Sequence, residues 1–230
     1  MIVITGSSGW LGSHLKKYFL DVIEYDIKQN KNILDFTPPS NCDLIIHLAA
    51  KPGVRESIHN PEEYWNINVE GSKQVFKHNI PTIYTSTSAA KQWWLNPYAT
   101  TKKVAEDFNE LGTNLRLTNL YADTYEGKED LFGYKFKNNT LDYISKGHSR
   151  DFIHVEDVCE IIYRLSKQPL MKKTFDVGSG ISIKLKDIAP SLIEKEANPY
   201  ELQENPCDPF DLLSLIKYNL KHNPKEYFNV

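Results

Sequence analysis

The sequence predicts an α/β fold, a parallel sheet covered by helices on both faces. Three observations carry this. Short apolar runs at residues 2–4, 22–25, 43–50, 81–86 and 114–118 alternate with amphipathic or capped helical stretches. The run at 43–50 is continuously apolar apart from His47, as a strand covered on both faces requires. The first run leads into three glycines, Gly6, Gly9 and Gly12, and then into a helical face of Leu11, Leu15, Tyr18 and Phe19.

Strand, glycine turn and helix in this order form the phosphate-cradling start of a dinucleotide-binding unit. Gly6 permits a tight turn, Gly9 lets backbone approach a pyrophosphate, and Gly12 lets the helix pack closely. The second strand ends in Asp26, at the spacing where a carboxylate binds the ribose hydroxyls of a dinucleotide. The expected architecture is therefore a Rossmann-like doubly wound parallel sheet. Pro38-Pro39 excludes helix after the second strand. His47 reads as a buried, hydrogen-bonded core histidine. Pro61 opens a long helix through Tyr64, Ile67, Val75 and Phe76. Asn96 caps another helix, which Gly112 ends. Beyond Tyr121 the alternation weakens. A strand is expected at 152–155, a helix at 156–165, a short strand at 174–177, and helical stretches near 184–195 and 210–220. The expected division is a Rossmann domain of residues 1–122 plus about 151–177. A small, shortened substrate lobe takes residues 123–150 and 178–230.

The chain has 230 residues and a net charge of -3, which argues against nucleic acid or an anionic membrane as main partner. Cys42, Cys159 and Cys207 show no paired spacing, so neither a disulfide framework nor a metal site is expected, and a reduced, cytoplasmic setting is. No basic segment precedes the first apolar run, and no run reaches the roughly 20 residues that span a membrane.

Tyr98 and Lys102 lie four apart on a predicted helix and share a face. A free tyrosine titrates near 10. An ammonium beside it is expected to stabilise the phenolate and make a proton-transfer group for an alcohol or ketone. The preceding strand ends in Thr85-Ser-Thr-Ser88, whose hydroxyls are placed to bond a reacting oxygen.

At this point the chain resembles the extended short-chain dehydrogenase/reductase superfamily, in its branch of NAD-dependent nucleotide-sugar epimerases and dehydratases. The resemblance rests on Thr5-Gly-Ser-Ser-Gly-Trp-Leu-Gly12, His47-Leu-Ala-Ala50, Gly53-Val-Arg-Glu-Ser57, Asn68-Val-Glu-Gly71, Tyr98 with Lys102, Leu115-Arg-Leu-Thr-Asn-Leu-Tyr121, and Arg150-Asp-Phe-Ile-His-Val155 with Asp157. It implies a catalytic set of Thr87, Tyr98 and Lys102. For NAD it implies contacts at Gly6, Gly9, Trp10, Leu11, Gly12, Asp26, Asn32, Ile33, Leu48, Ala49, Ala50, Thr85, Tyr98 and Lys102. For a nucleotide-sugar substrate it implies Thr87, Asn119 and Arg150, the last two on the diphosphate. A permanently charged, bidentate guanidinium suits that task. The resemblance also implies a homodimer through the helices around 61–79 and 97–111, with Tyr64, Phe76 and Phe108 supplying apolar area.

Several positions depart from the family pattern. Ala90-Lys-Gln92 replaces Val-Tyr-Gly, and only ten residues separate Thr87 from Tyr98, with Trp93 and Trp94 filling the shortened loop. Asn32 replaces an adenine-contacting aspartate, and Ala122-Asp123 replaces Gly-Pro. Ser88-Ala89 stands where dehydratases carry Asp-Glu, which lowers that reading. The resemblance implies an epimerase that oxidises and re-reduces the sugar. A reductase or dehydratase of a nucleotide sugar, or a dinucleotide-binding sensor without turnover, stays open.

Overall fold

The computed structural model describes residues 1–230. β1 (Ile2–Thr5) runs into the glycine loop and α1 (Trp10–Leu15), and β2 (Ile23–Tyr25) and β3 (Leu44–His47) follow. α2 (Val54–His59) precedes α3 (Pro61–Trp65), a π-helical segment (Asn66–Glu70) and α4 (Gly71–Phe76), which are joined end to end as the expected long helix. β4 (Thr82–Thr87), α5 (Pro97–Phe108) and β5 (Thr113–Leu117) complete the regular alternation. Then come β6 (Asn119–Tyr121), α6 (Phe132–Lys137), β7 (Tyr143–Ser145), β8 (Ser149–His154), α7 (Val155–Leu165) and β9 (Lys173–Val177). The tail adds β10 (Ser182–Lys184), α8 (Leu185–Ile188), β11 (Ile193–Lys195), α9 (Phe210–Leu215) and α10 (Pro224–Phe228).

Six parallel strands form the main sheet in the order β2-β1-β3-β4-β5-β9. Successive side chains alternate between its faces. Ile4, Ile46 and Ile83 pack with Leu15 of α1 and Ile162 of α7 on one side, while Val3 and Ile45 pack with Val75 of α4 on the other. All of these are buried, and this two-sided core holds the carboxyl ends of β1, β3 and β4 side by side. Gly112 is required by close approach, because a Cβ there would lie 1.9 Å from the Thr82 carbonyl oxygen.

The C-terminal half departs from expectation in three places. β8, expected at 152–155, begins earlier, at Ser149, and pairs in parallel with β6 and antiparallel with β10 in a separate sheet. The stretch near 184–195 is helical only at α8. Pro190 cannot continue the helix, and the chain leaves as β11 beside β7. The helix near 210–220 stops at Leu215, with Lys217 in a left-handed turn at φ 50°. α6, β7 and α10 were not foreseen. A second core of Tyr121, Ile144, Phe152 and Phe228 fastens these pieces together. No helix is long and apolar enough to cross a membrane, and all three cysteines are free.

Candidate active site

The glycine loop sits at the carboxyl end of β1. Gly6 has φ 71°, a conformation that suits glycine. A Cβ on it would come 2.7 Å from the Ala49 amide nitrogen, so Leu48 and Ala49 press directly on the loop. A Cβ on Gly12 would come 2.3 Å from the Gly6 carbonyl oxygen. Gly12 thus packs the first turn of α1 on its own loop rather than on the strand. Gly9 is freer, with only the Gly6 oxygen at 3.1 Å. Trp10 and Leu11 follow, with Trp10 stacked on Tyr125 and its indole Nε1 buried without a partner.

Asp26 is buried, and it accepts hydrogen bonds from the Ser8 amide at 3.0 Å and the Lys28 amide at 2.9 Å. The acid is therefore tied to the glycine loop, as a ribose-binding carboxylate has to be. Asn32 accepts from the Leu34 amide and caps a short turn. Ile33 is committed to the core, where its side chain faces Gly71. Ala50 follows Ala49 beyond the end of β3, and the Thr85 hydroxyl donates to the His47 carbonyl at 3.2 Å. His47 is the bonded core histidine that was expected. Thr5 and Ser72 flank its ring nitrogens at 2.7 and 2.9 Å, and burial holds its pKa down to about 3. The cradle fits a dinucleotide: backbone clears the phosphate position, and a fixed acid stands at the second strand tip.

Tyr98 and Lys102 lie in the first turns of α5, which Asn96 caps by accepting from the Ala99 amide at 2.8 Å. Thr87 closes β4, and its hydroxyl accepts from the Ala89 amide. The electrostatics differ from expectation. Burial pushes the Tyr98 phenol up to about 12, with the Thr87 hydroxyl opposing and the nearby Tyr64 adding to the rise. Burial brings the Lys102 ammonium down to about 7, with Glu106 opposing. Lys102 Nζ stands over the Tyr84 ring. The reason is desolvation, which penalises both charged forms.

Asn119 and Arg150 line one cleft of ≈ 330 Å³ with Arg55, Phe132, Leu185 and Glu201. Arg150 donates to the carbonyls of Ser149 at 2.8 Å and Gln203 at 3.0 Å, and burial lowers its pKa, with Glu201 opposing. The structure thus joins the two diphosphate candidates in one cleft. Arg55 and Glu201 were missed there. Arg55 lies in Gly53-Val-Arg-Glu-Ser57, which carried no site role by sequence, and Glu201 lies in a stretch with no periodicity.

One further expectation changes. Tyr64 is fully buried and donates to the Pro52 carbonyl at 2.6 Å, so it supplies no dimer surface, whereas Phe108 is 43% exposed. Trp93 and Trp94 are exposed and pack edge to face on each other, with Trp94 in a groove beside Trp65 and Tyr200. Sequence reasoning also missed the cluster of His154, Glu156 and His222, whose ligand atoms lie within 4.8 Å of one another. The two imidazoles are stacked face to face at 3.8 Å, so their lone pairs lie in near-parallel planes and do not converge on one ion. Asp157 accepts from the His222 ring at 2.9 Å and from the Lys221 amide at 3.0 Å, which anchors the tail to α7.

The profile of the NAD dependent epimerase/dehydratase family matches residues 2–91. A UDP-glucose 4-epimerase of Mycoplasma genitalium is 25% identical over 80% of this chain and 72% of its own length. A GDP-6-deoxy-D-talose 4-dehydrogenase of Aggregatibacter actinomycetemcomitans is 22% identical over 89% and 83%. The structure of a dTDP-glucose 4,6-dehydratase from Streptomyces venezuelae superposes with a TM-score of 0.83 at 17% identity, covering 98% of this chain and 93% of that one, a likeness of fold. Residues 2–91 are thus similar to the NAD dependent epimerase/dehydratase family, and the whole chain shares the fold of a solved nucleotide-sugar dehydratase, a parallel-sheet α/β fold of Rossmann type.

Proposed function

We propose that the chain is an NAD-dependent epimerase of a nucleotide sugar. The observation that carries this is the placement of Thr87, Tyr98 and Lys102 at the sheet edge that also holds the glycine cradle, together with the joining of Asn119 and Arg150 in one cleft. Asp26, the glycine loop and the 48–50 stretch hold NAD, which when bound there supplies a hydride acceptor and donor. Arg150 and Asn119 hold the diphosphate, and Thr87 orients the reacting sugar oxygen. Tyr98 would take the proton from a sugar hydroxyl as the hydride on the same carbon leaves, and would return it to that oxygen when the hydride comes back to the other face of the turned ring, which inverts the carbon. Lys102, one helical turn beyond Tyr98, completes the set.

The raised Tyr98 pKa favours a second reading. A phenol held protonated at neutral pH is ready as an acid, which is what reduction of a keto sugar demands. The 4-dehydrogenase relative is consistent with it. Both readings take the same cofactor and substrate class. In either, residues around 123–150 and 178–230 form the substrate lobe, and two chains pair through α3–α4 and α5, with Phe108 and Leu111, 43% and 50% exposed, in the contact. The experiment is to purify the protein, release its bound small molecules by denaturation for mass spectrometry, and assay UDP-, GDP- and dTDP-sugars. Interconversion of two 4-epimers without net NADH change supports the epimerase. Net NADH consumption with a keto sugar supports the reductase. No turnover of any sugar, with NAD recovered, favours a dinucleotide-binding protein without catalysis.

A further inference from the structure

Glu201 stands between two arginines at the substrate cleft. Its Oε1 accepts from Arg55 Nε at 2.9 Å, and its Oε2 lies 4.0 Å from an Arg150 terminal nitrogen. The Glu201 and Arg150 side chains are 16% and 15% exposed, whereas Arg55 reaches in from α2 with 62% of its side chain exposed. Arg150 is fixed from behind, with Nη1 on two carbonyls and Nη2 at 2.8 Å from the His148 ring. The backbone around Glu201 is tied down as well. Asn96 donates to the Tyr200 carbonyl at 2.9 Å, and the Ser149 and Asp151 amides donate to the Gln203 carbonyl at 3.0 Å and the Asn205 side chain at 2.8 Å.

We propose that Arg55 and Arg150 form a two-guanidinium seat for a phosphate-type anion, and that Glu201 is its built-in occupant, displaced when the anionic group of the substrate binds. This rests on the nucleotide-sugar reading for the identity of the substrate. The two oxygens of one carboxylate already take the two cations, which marks where an anion sits. At the seat itself two arginines face one glutamate, whereas Lys135, Asp130 and Asp142 elsewhere in the cleft lining bring its formal charge to zero with Glu201 in place; turning Glu201 out therefore leaves a positive seat for a group of charge -2 or more, such as a diphosphate. The tethered backbone confines the exchange to a rotation of the Glu201 side chain toward solvent. Arg55 thereby becomes a specificity-determining residue, and Glu201 rejects monoanions that cannot outcompete it.

The test is calorimetric titration of the purified protein with inorganic pyrophosphate, UDP and uridine, using wild type, Glu201→Gln, Arg55→Met, the double variant and Arg150→Met. Glu201→Gln is expected to bind pyrophosphate about three- to tenfold tighter, and Arg55→Met about tenfold weaker. In the double variant the gain from Glu201→Gln should largely disappear. Equal or weaker binding in Glu201→Gln makes Glu201 a buttress and overturns the proposal, as does unchanged binding in Arg55→Met. Circular dichroism and Glu201→Ala guard against a folding artefact. If UDP binding is lost in Arg150→Met but ignores Arg55 and Glu201, the seat falls and the nucleotide-sugar reading stands. If pyrophosphate responds as expected while UDP gains nothing over it, the seat stands and that reading falls.

Discussion

The Lys102 ammonium nitrogen lies 4.2 Å from the centroid of the Tyr84 ring, with both side chains buried and the Tyr84 hydroxyl unpartnered. The face of the ring gives the cation a weak partner in place of the water it has lost. That exchange underlies the fall of its pKa to about 7 from 10.5.

Stability should therefore depend on pH through Lys102. Between pH 7 and 10.5 the folded protein binds fewer protons at this site than the unfolded chain, so stability from this group rises with pH. The penalty is fully present below the folded value and fades as the pH approaches the unfolded one. Lys102→Met should stabilise most near pH 6.5 (roughly) and progressively less toward about pH 10. Urea unfolding at both pH values measures this, and a difference independent of pH would refute it.

Tyr98→Phe removes one oxygen and little volume. The ring edge against Tyr64, with centroids 6.3 Å apart, should survive, so the melting temperature and NAD affinity should stay near wild type. Turnover on any sugar found in the screen should fall by about 10²-fold or more. Undiminished turnover would remove Tyr98 from the chemistry.

How much of this was legible in the sequence follows from which interactions are local. The glycine loop, Asp26 and the β1–β5 alternation were readable because strand, turn and helix signals lie within a few residues of one another. Lys102 and Tyr98 were readable as a pair by helical spacing, yet the direction of the tyrosine shift was not, because the burial that raises it and the opposing Thr87 hydroxyl come from packing against other elements. Arg55 and Glu201 are 146 positions apart, and no spacing rule joins them. The strand of β8 was readable but its sheet was not, because an apolar run does not say which neighbour it pairs with.

Asp26 should set cofactor choice. Its carboxylate is pinned by two backbone amides, so it has little freedom to retreat from a 2′-phosphate, and NAD(H) should bind much more tightly than NADP(H). Titration of both against the fluorescence of the four tryptophans reads this directly. Equal affinities would overturn the assignment.

Gly9 and Gly12 should separate binding from folding. Gly9 has φ -70° and ψ 168°, which any residue adopts, and its Cβ position meets only one backbone oxygen, at 3.1 Å. Gly9→Ala should leave the unfolding free energy within about 1 kcal/mol of wild type. It should nonetheless weaken NAD binding by tenfold or more (roughly), because the methyl group occupies the space through which the pyrophosphate approaches the backbone. At Gly12 the same methyl would sit 2.3 Å from the Gly6 oxygen and 2.8 Å from Ser7 backbone atoms, none of which can rotate away. Gly12→Ala should therefore cost about 1–3 kcal/mol of stability as well as NAD affinity, since α1 must move off its loop. Thermal or urea unfolding of the protein without added NAD gives the first quantity, and titration with NAD gives the second. Equal destabilisation by the two substitutions would show that both glycines serve only packing, and the cradle would lose its claim to a dinucleotide.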